Sequence, residues 1–374
     1  MPPLEYFDSI VAIIMRTGTA NLPLHSGKAP RWLFNRMVKM GGSITAAVVD
    51  EFGTEGFLER ISDPYWFQSL GAVLGFDWHS SGVTTTTCGA LKVALNKGLG
   101  DDLGLYVAGG KGGASRKAPD EIRETGERKG MDPSPLVYAS RMSAKVDSAA
   151  LQDGYQIYHH NFFFDEAGRW STVQQGMNDD NGMARRYHWV NLDKLNFLDR
   201  PHSAICSDAR GEPLNLADED SEDNREVSVE LSHENPEDLI VDLQKLKEES
   251  LNMPKRHNIL LEDLNPKRLD RSLLKAYKAQ SDNFEELLGT RGVGPKTIRA
   301  LSLTAELVYG EKACFKDPAR FSFAHGGKDG IPYPVDRELF DQTIRIFEKA
   351  IKRSELDGKE KGQALNTLKG FSNT

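Results

Sequence analysis

Alternating polar and apolar positions mark one region of the chain as extended strand. From Gly154 to Phe164 the side chains divide into two sets that face opposite sides of a strand. One set is Gln156, Tyr158, His160, Phe162 and Phe164, and the other is Tyr155, Ile157, His159, Asn161 and Phe163. Asp165 to Arg169 contains Gly168 and predicts a turn into a second strand, Trp170 to Met177. The pattern therefore predicts a β-hairpin.

Helical spacing dominates the rest of the chain. It predicts early helices over Ala29 to Lys39, Ser43 to Phe57 and around Trp66 to Leu74. Near the end, Phe284, Leu287 and Leu288 form one apolar face, and a second face carries Ile298, Leu301, Ala305 and Val308. Gly289 to Gly294 lies between the two faces. Because Pro295 suits a first helical turn and Gly310 a position past a helix end, we predict two helices joined by a tight hairpin.

An acidic stretch separates these two regions. Ala217 to Asp238 carries ten carboxylates and few apolar residues, a composition typical of linkers. We therefore expect an α+β protein with an N-terminal mixed α/β domain over 1–206, an acidic linker over 207–240, and a helical domain over 241–374 with a helix-hairpin-helix. The length of 374 residues also favours two domains.

Charge and cysteine content narrow the function classes. The formal net charge is −8, but phosphate responds to local basic patches rather than to the sum. Cys88, Cys206 and Cys314 have no metal-binding spacing, so we expect three reduced, buried thiols. The apolar run from Ile10 to Met15 is too short to span a membrane. We expect a cytoplasmic protein without membrane contact, and the oligomeric state stays open.

The glycine-rich hairpin carries the most specific signal. Gly292 and Gly294 allow a partner to approach the backbone closely, while Val293 plugs the hairpin into the core. The N–H groups at the helix start favour an anion, and Lys296 and Arg299 add positive charge. The predicted partner is the phosphate backbone of DNA, bound without sequence preference. The alternative is a glycine-capped helical turn with a structural role alone.

Leu287 to Gly310 resembles the helix-hairpin-helix of DNA repair proteins. The chain as a whole resembles a bacterial and archaeal family called domain of unknown function 763. The motifs that carry this resemblance are Arg16 to Gly18 with Leu22 to His25, Gly75 to Thr84, Gln174 to Asn178 with Ala184 to Trp189, and Phe323 to Gly330. The resemblance strengthens the DNA hypothesis and supplies no active site.

The segment from Asp77 to Gly82 is the first candidate for chemistry. Asp77 and His79 can orient a metal or activate water, and Ser81 can hold a phosphate or a base edge. This hypothesis calls for a divalent metal, Mg²⁺ or Mn²⁺. The alternative is a polar turn that caps a helix starting near Thr86.

Two further groups point to nucleic acid. A flexible loop carries Lys111, Arg116 and Lys117 among four glycines, ahead of a helix beginning near Pro119, and suits contact with a phosphate backbone; the alternative is a plain surface loop. A second group can stack on and hydrogen-bond an extruded base, or form a buried polar network instead. Its members are Tyr158, His160, Gln174, Arg185, Arg186 and His188.

The leading hypothesis is a DNA-repair enzyme, a nuclease directed to a lesion or to a DNA structure, including damaged or single-stranded DNA. The first alternative is a helix-hairpin-helix DNA glycosylase or AP lyase. There Lys296 would act with an aspartate, either Asp317, 21 residues downstream, or Asp336, 40 residues downstream. The second alternative is a DNA-binding protein without enzymatic activity.

Overall fold

The computed structural model describes residues 29–75, 81–193, 196–207, 210–241 and 266–320, with isolated positions between 345 and 366. The protein is an α+β protein. Its helices are α1 (Arg31–Ser62), α2 (Pro64–Val73), α3 (Gly82–Ala94), α4 (Gly100–Leu103), α5 (Ala118–Lys129), α6 (Ser134–Lys145), α7 (Glu222–Ser232), α8 (Pro266–Ala279), α9 (Phe284–Gly289) and α10 (Pro295–Thr304). Its strands are β1 (Leu105–Lys111), β2 (Leu151–Gln152), β3 (Gln156–Asp165), β4 (Trp170–Asn178), β5 (Met183–Asn191), β6 (Ala204–Cys206) and β7 (Leu214–Asn215).

An antiparallel sheet with the strand order β1-β3-β4-β5-β6 forms the centre of the fold. The predicted hairpin is present as β3 and β4, with Asp165 and Arg169 joined across the turn. In its register His159 lies opposite Gln175, and His160 opposite Gln174. The two histidines therefore face opposite sides of the sheet, as the alternation predicts.

A β-bulge changes the expected faces at the start of β3. The register shifts between Ile157 and His159, so that Tyr158 is the extra residue. Its hydroxyl accepts a hydrogen bond from Gln175, the partner of His159. Tyr158 therefore lies on the face of His159, and the prediction that it shares a face with His160 is wrong.

Each face of the sheet packs against its own set of helices. One face, here called the α6 face, presents Phe162, Trp170 and Tyr187 to a core that includes α5, α6 and the helices α7 to α10. The other, here called the α3 face, presents Phe163 and Val173 to a core built from α1, α2 and α3. Apolar burial on both faces is the main stabilisation of such a layered fold.

The acidic stretch is folded where the structure describes it. Helix α7 lies inside the predicted linker, and Val229 and Leu231 belong to the core of the α6 face. Asn224 donates to the backbone oxygens of Ser302, in α10, and Glu311, which ties α7 to α10 and the residues after it. The prediction of a linker over 207–240 is therefore wrong for α7. The composition suggested a linker because α7 has few apolar residues, but buried polar side chains that bond to backbone oxygens help to hold it in the fold.

The early helices, the cysteines and Val308 also have definite places in the structure. The helices expected over 29–39 and 43–57 are parts of α1, which kinks at Gly53, where φ is +71°. All three cysteines are free and buried. The prediction that Val308 lies on the apolar face of the second helix is wrong, because Val308 is 50% exposed. Among the described residues, no helix is long and apolar enough to cross a membrane.

Candidate functional site

The turn between α9 and α10 has the backbone that its sequence predicts. Val293 is 1% exposed and belongs to the core of the α6 face. Gly292 has a φ of +99°, whereas Gly294 is extended, with φ −134° and ψ −176°. A Cβ placed on Gly294 would meet no atom within 4 Å. The backbone at Gly294 is therefore open to a partner.

Hydrogen bonds within this turn leave its glycine amides uninvolved. Val293 N donates to Thr290 O at 3.1 Å, and Ile298 N donates to Gly294 O at 3.0 Å. Across the described residues, neither Gly292 nor Gly294 donates its N–H in a bond of this kind. Two donors next to the N-terminus of α10 are thus available to an anion.

Lysines from two other helices surround the same turn. Lys145, the last residue of α6, donates from Nζ to Val293 O at 2.5 Å, and burial lowers the pKa of its ammonium group. The side chain of Lys275, in α8, packs against Gly292: a Cβ added at Gly292 would lie only 2.5 Å from Lys275 Nζ. Lys296 is exposed at the start of α10, and Arg299 donates from Nε to Gln152 Oε1 at 2.6 Å.

The predicted basic loop lies at the end of β1. Lys111 closes the strand, and Arg116 and Lys117 follow in a 3-10 turn, all three exposed. Lys111 lies opposite His159 in the register, and its Nζ is 5.7 Å from the ring centre of Tyr158. The loop therefore borders the same end of the sheet as the two histidines.

On the α6 face the structure brings two predicted residues, His160 and Gln174, into contact. His160 Nδ1 is 3.0 Å from Gln174 Oε1, and His160 Nε2 is 2.9 Å from Ser140 Oγ in α6. Because the amide oxygen only accepts, Nδ1 carries the proton and Nε2 accepts from the Ser140 hydroxyl. Burial lowers the pKa of His160, which favours this neutral form.

The same network continues to a buried carboxylate. Asp147, in the π-helical turn after α6, accepts from Gln174 Nε2 at 2.6 Å, Trp189 Nε1 at 3.0 Å and His202 Nε2 at 2.5 Å. One chain of hydrogen bonds thus joins Ser140, His160, Gln174 and Asp147, and each of these side chains has a partner. This completeness is typical of a structural polar network.

On the α3 face, the neighbouring residues lack such partners. Both ring nitrogens of His159, both side-chain amide atoms of Asn161, and Gln175 Oε1 are buried with no hydrogen-bond partner among the described residues. Gln175 Nε2 is engaged, with Tyr158 Oη at 2.5 Å and Ser81 O at 3.0 Å. Burial, together with His160 and Lys111, lowers the pKa of His159 to about 3, so its ring is neutral.

Arg185, Arg186 and His188 lie inside the protein rather than at a surface. Arg185 pairs with Asp153 at 2.9 Å and with Asp317 at 2.8 Å. Arg186 donates from Nε to His188 Nε2 at 2.9 Å, and the pKa of His188 is well below its usual value because of burial and this arginine. In this conformation neither guanidinium is presented to an external phosphate.

Several predicted residues cannot be compared with the structure. Asp77, His79 and Asp336 lie outside the described residues. Ser81, which borders them, is buried at the start of α3 and accepts from Gln175 through its backbone oxygen. Asp317 is engaged by Arg185 and by the N–H groups of Gly211 and Ala319.

One group of side chains within the described ranges has the spacing of metal ligands. Atoms of Asp218, Asp220 and Cys314 lie within 4.8 Å of one another. The two carboxylates are already paired, Asp218 with Arg200 and Asp220 with Lys316. A thiol is also a poor ligand for Mg²⁺ or Mn²⁺, so this group does not match the metal that the nuclease hypothesis calls for.

Sequence reasoning missed two of the three lysines at the turn and most of the polar interior. Lys145 and Lys275 are distant from the turn in sequence, and no local pattern links them to it. Ser140 and Asp147 carry no motif either. Asn161 was visible in the sequence as a polar residue between His159-His160 and the apolar run Phe162 to Phe164 of β3.

These features define a class: an α+β protein with a basic, glycine-containing turn and a polar interior on both faces of one antiparallel sheet. The chain belongs to the protein family of unknown function DUF763, whose model matches residues 18–335. No curated protein and no solved structure matches the chain.

Proposed function

We propose that the protein is a DNA-repair enzyme, a nuclease directed to a lesion or to a DNA structure, that holds the DNA backbone at the turn between α9 and α10. The observation that carries this proposal is the open backbone at Gly294, next to an amide-rich helix start and three lysines. The buried Val293 fixes the turn to the core, so the binding surface is rigid.

Phosphate is the ligand that this surface suits best. The N–H groups of Gly292 and Gly294 and the positive end of the α10 dipole favour an anion without reading its sequence. Lys275 and Lys296 add long, flexible cations at the rim of the turn. The basic loop from Lys111 to Lys117 gives a second place where a strand can be held.

Gly294→Leu tests the binding surface without straining the fold. The φ and ψ of Gly294 suit any residue, so the variant should fold normally while its side chain blocks the approach of a phosphate. We expect about a tenfold or greater loss of affinity for duplex DNA, near 1.4 kcal/mol. The measurement is fluorescence anisotropy at fixed salt.

Gly211→Leu is the matched control, since a Cβ on Gly211, as on Gly294, would meet no atom within 4 Å and its φ is ordinary. It should bind DNA like the wild type. Binding should also weaken steeply as salt rises and should not depend on sequence. Equal affinity of Gly294→Leu and the wild type, or a flat salt dependence, would contradict the proposal.

The reaction type is tested with a panel of oligonucleotides that carry deaminated, oxidised or abasic positions. Cleavage that requires Mg²⁺ or Mn²⁺ and is lost in Asp77→Asn and His79→Ala supports the nuclease. If the protein binds every substrate and converts none of them, the result supports a DNA-binding protein without enzymatic activity. Metal-independent release of a base excludes the nuclease.

A glycosylase or AP lyase is the second candidate, and Lys145 favours it. Its Nζ lies at the turn, in contact with Val293 O, and burial lowers its pKa, as attack on an abasic sugar requires. Lys296 at the start of α10 is the exposed alternative. Borohydride trapping of abasic DNA by the wild type, lost in Lys145→Ala or in Lys296→Ala, would establish the lyase and identify the amine.

A further inference from the structure

Three buried polar side chains lie side by side on the α3 face. His159 and Gln175 are cross-strand partners, so their Cβ atoms are about 5 Å apart. Asn161 is two residues further along β3 on the same face, about 7 Å away. We call these residues the His159 cluster. It lies at the end of the sheet where β1 closes with Lys111.

Five atoms of this cluster have no hydrogen-bond partner in the described part of the chain. They are His159 Nδ1 and Nε2, Asn161 Nδ2 and Oδ1, and Gln175 Oε1. Folded proteins satisfy the great majority of buried polar side-chain atoms, because each orphan forfeits its hydration without compensation. Five such atoms in three adjacent residues indicate a partner that binds from outside.

The chemistry of these atoms restricts that partner. The neutral ring of His159 offers one donor and one acceptor, Asn161 offers both, and Gln175 offers an acceptor. No carboxylate belongs to the cluster, so a buried cation would have no counter-charge there. The buried guanidinium of Arg186, opposite Gln175 on the next strand, already donates to His188 and Gln68. A neutral molecule with donors and acceptors along one edge satisfies the set.

Tyr158 and Lys111, which border the His159 cluster, add two further constraints on the ligand. The half-buried ring of Tyr158, which the β-bulge turns to this face, offers an aromatic surface on which a flat ligand can stack. Lys111 lies beside that ring, and Arg116 and Lys117 follow in the exposed loop. A base that is still attached to its strand brings phosphates to these cations.

We propose that the His159 cluster is a binding pocket for a neutral planar heterocycle of the nucleobase class. The source of the base rests on the proposed function: a strand held at the basic loop from Lys111 to Lys117, which borders the cluster, supplies it in extruded form. A free nucleoside offers the same edge, and the experiment separates the two sources.

Asn161→Leu in the full-length protein is the central variant, because it removes two unpartnered polar atoms and keeps the number and branching of the side-chain heavy atoms. One arm measures binding of free nucleosides, including inosine and uridine, by calorimetry at millimolar ligand. The other measures the fluorescence of a duplex with a single 2-aminopurine, which rises when that base leaves the stack. Melting temperatures are recorded without ligand.

Thr172→Val is the matched control. It also removes a buried, unpartnered hydroxyl from the same sheet, but from the α6 face. The wild type and Thr172→Val should respond in at least one arm. Asn161→Leu should respond at least about tenfold more weakly in that arm, and its melting temperature without ligand should not fall below the wild-type value.

Each outcome bears on the pocket separately from DNA binding. No response of the wild type in either arm, or an equal response of Asn161→Leu, overturns the pocket. A clear fall in the melting temperature of Asn161→Leu assigns the cluster to bound water and overturns it too. If the protein binds free nucleosides but has no affinity for duplex DNA, or if nucleoside binding persists in Gly294→Leu, the pocket stands. Only the proposal that DNA supplies the base then fails.

Discussion

Two adjacent residues of β3, His159 and His160, are equally buried but have opposite surroundings. His160 contacts Ser140 and Gln174, and its network ends at a carboxylate with three donors. Neither ring nitrogen of His159 has a partner among the described residues. Burial alone therefore does not separate the two histidines, whereas the completeness of their hydrogen bonds does.

The helices that cover the two faces explain the difference. On the α6 face, α6 and the π-helical turn after it bring a hydroxyl and the Asp147 carboxylate to the sheet. On the α3 face, Ser81, which precedes α3, accepts from Gln175 through its backbone oxygen, and Lys92 of α3 donates from Nζ to Gly109 O. Cys88, buried in the same helix, has only a weakly hydrogen-bonding thiol.

Asp147→Ala should have the largest effect on stability. It leaves the donors of Gln174, Trp189 and His202 buried without their acceptor, and we expect a loss of about 3–5 kcal/mol in the free energy of unfolding. The measurement is urea denaturation of the full-length protein.

Asp147→Asn is the control for this prediction. One amide oxygen can still accept from Gln174 and Trp189, and the amide N–H can donate to His202, so the variant should recover more than half of the loss. If Asp147→Ala costs less than about 1 kcal/mol, the α6 face is not held by this network, and the contrast between the two faces fails.

The sequence predicts local structure better than it predicts either network. Strand alternation locates β3 and β4, and the spacing around Pro295 locates α10, because these patterns depend on near neighbours. The bulge at Tyr158 has no such pattern. Asp147 meets its partners 27 to 55 residues away, and only the folded sheet brings them together.

The acidic stretch shows a second limit of composition. Linker character was inferred from ten carboxylates, but α7 turns Asn224 and Arg225 inward, where backbone oxygens accept from both. Asp218 pairs with Arg200, 18 residues earlier. Charge that is compensated by distant residues looks unpaired in a sequence, so composition overstates the tendency of the stretch to remain unfolded.

A pH series should give the second-largest effect. The pKa of His159 is about 3 in the folded protein, below the ordinary value of 6.5, so its neutral form stabilises the fold fully above pH 6.5. As the pH falls from 6.5 towards 3, the unfolded chain binds a proton that the folded chain does not. This residue alone should therefore cost about 1.4 kcal/mol per pH unit in that window.

His159→Phe removes that titration and isolates its contribution. The slope of unfolding free energy against pH, measured by urea denaturation between pH 7 and 5, should be smaller than in the wild type by about 1 kcal/mol per pH unit on average, because the unfolded chain is only partly protonated near pH 6.5. His160 and His188, whose pKa values are also lowered by burial, should keep part of the slope. An unchanged slope would mean that His159 titrates normally and is not the neutral group the pocket requires.

Tyr158→Phe should have the smallest effect and is the sharpest test of which face this residue occupies. Its hydroxyl accepts from Gln175 Nε2, which keeps Ser81 O as a second acceptor, so we expect a loss of only about 0.5–1.5 kcal/mol. A double-mutant cycle with Gln175→Met should give a coupling energy of at least about 0.5 kcal/mol, because the two side chains are in contact. The same cycle with Gln174→Met should give a value near zero, since Gln174 belongs to the α6 face. Plain alternation along β3 would instead put Tyr158 beside His160, so coupling to Gln174 and not to Gln175 would remove the bulge and, with it, the aromatic wall of the proposed pocket.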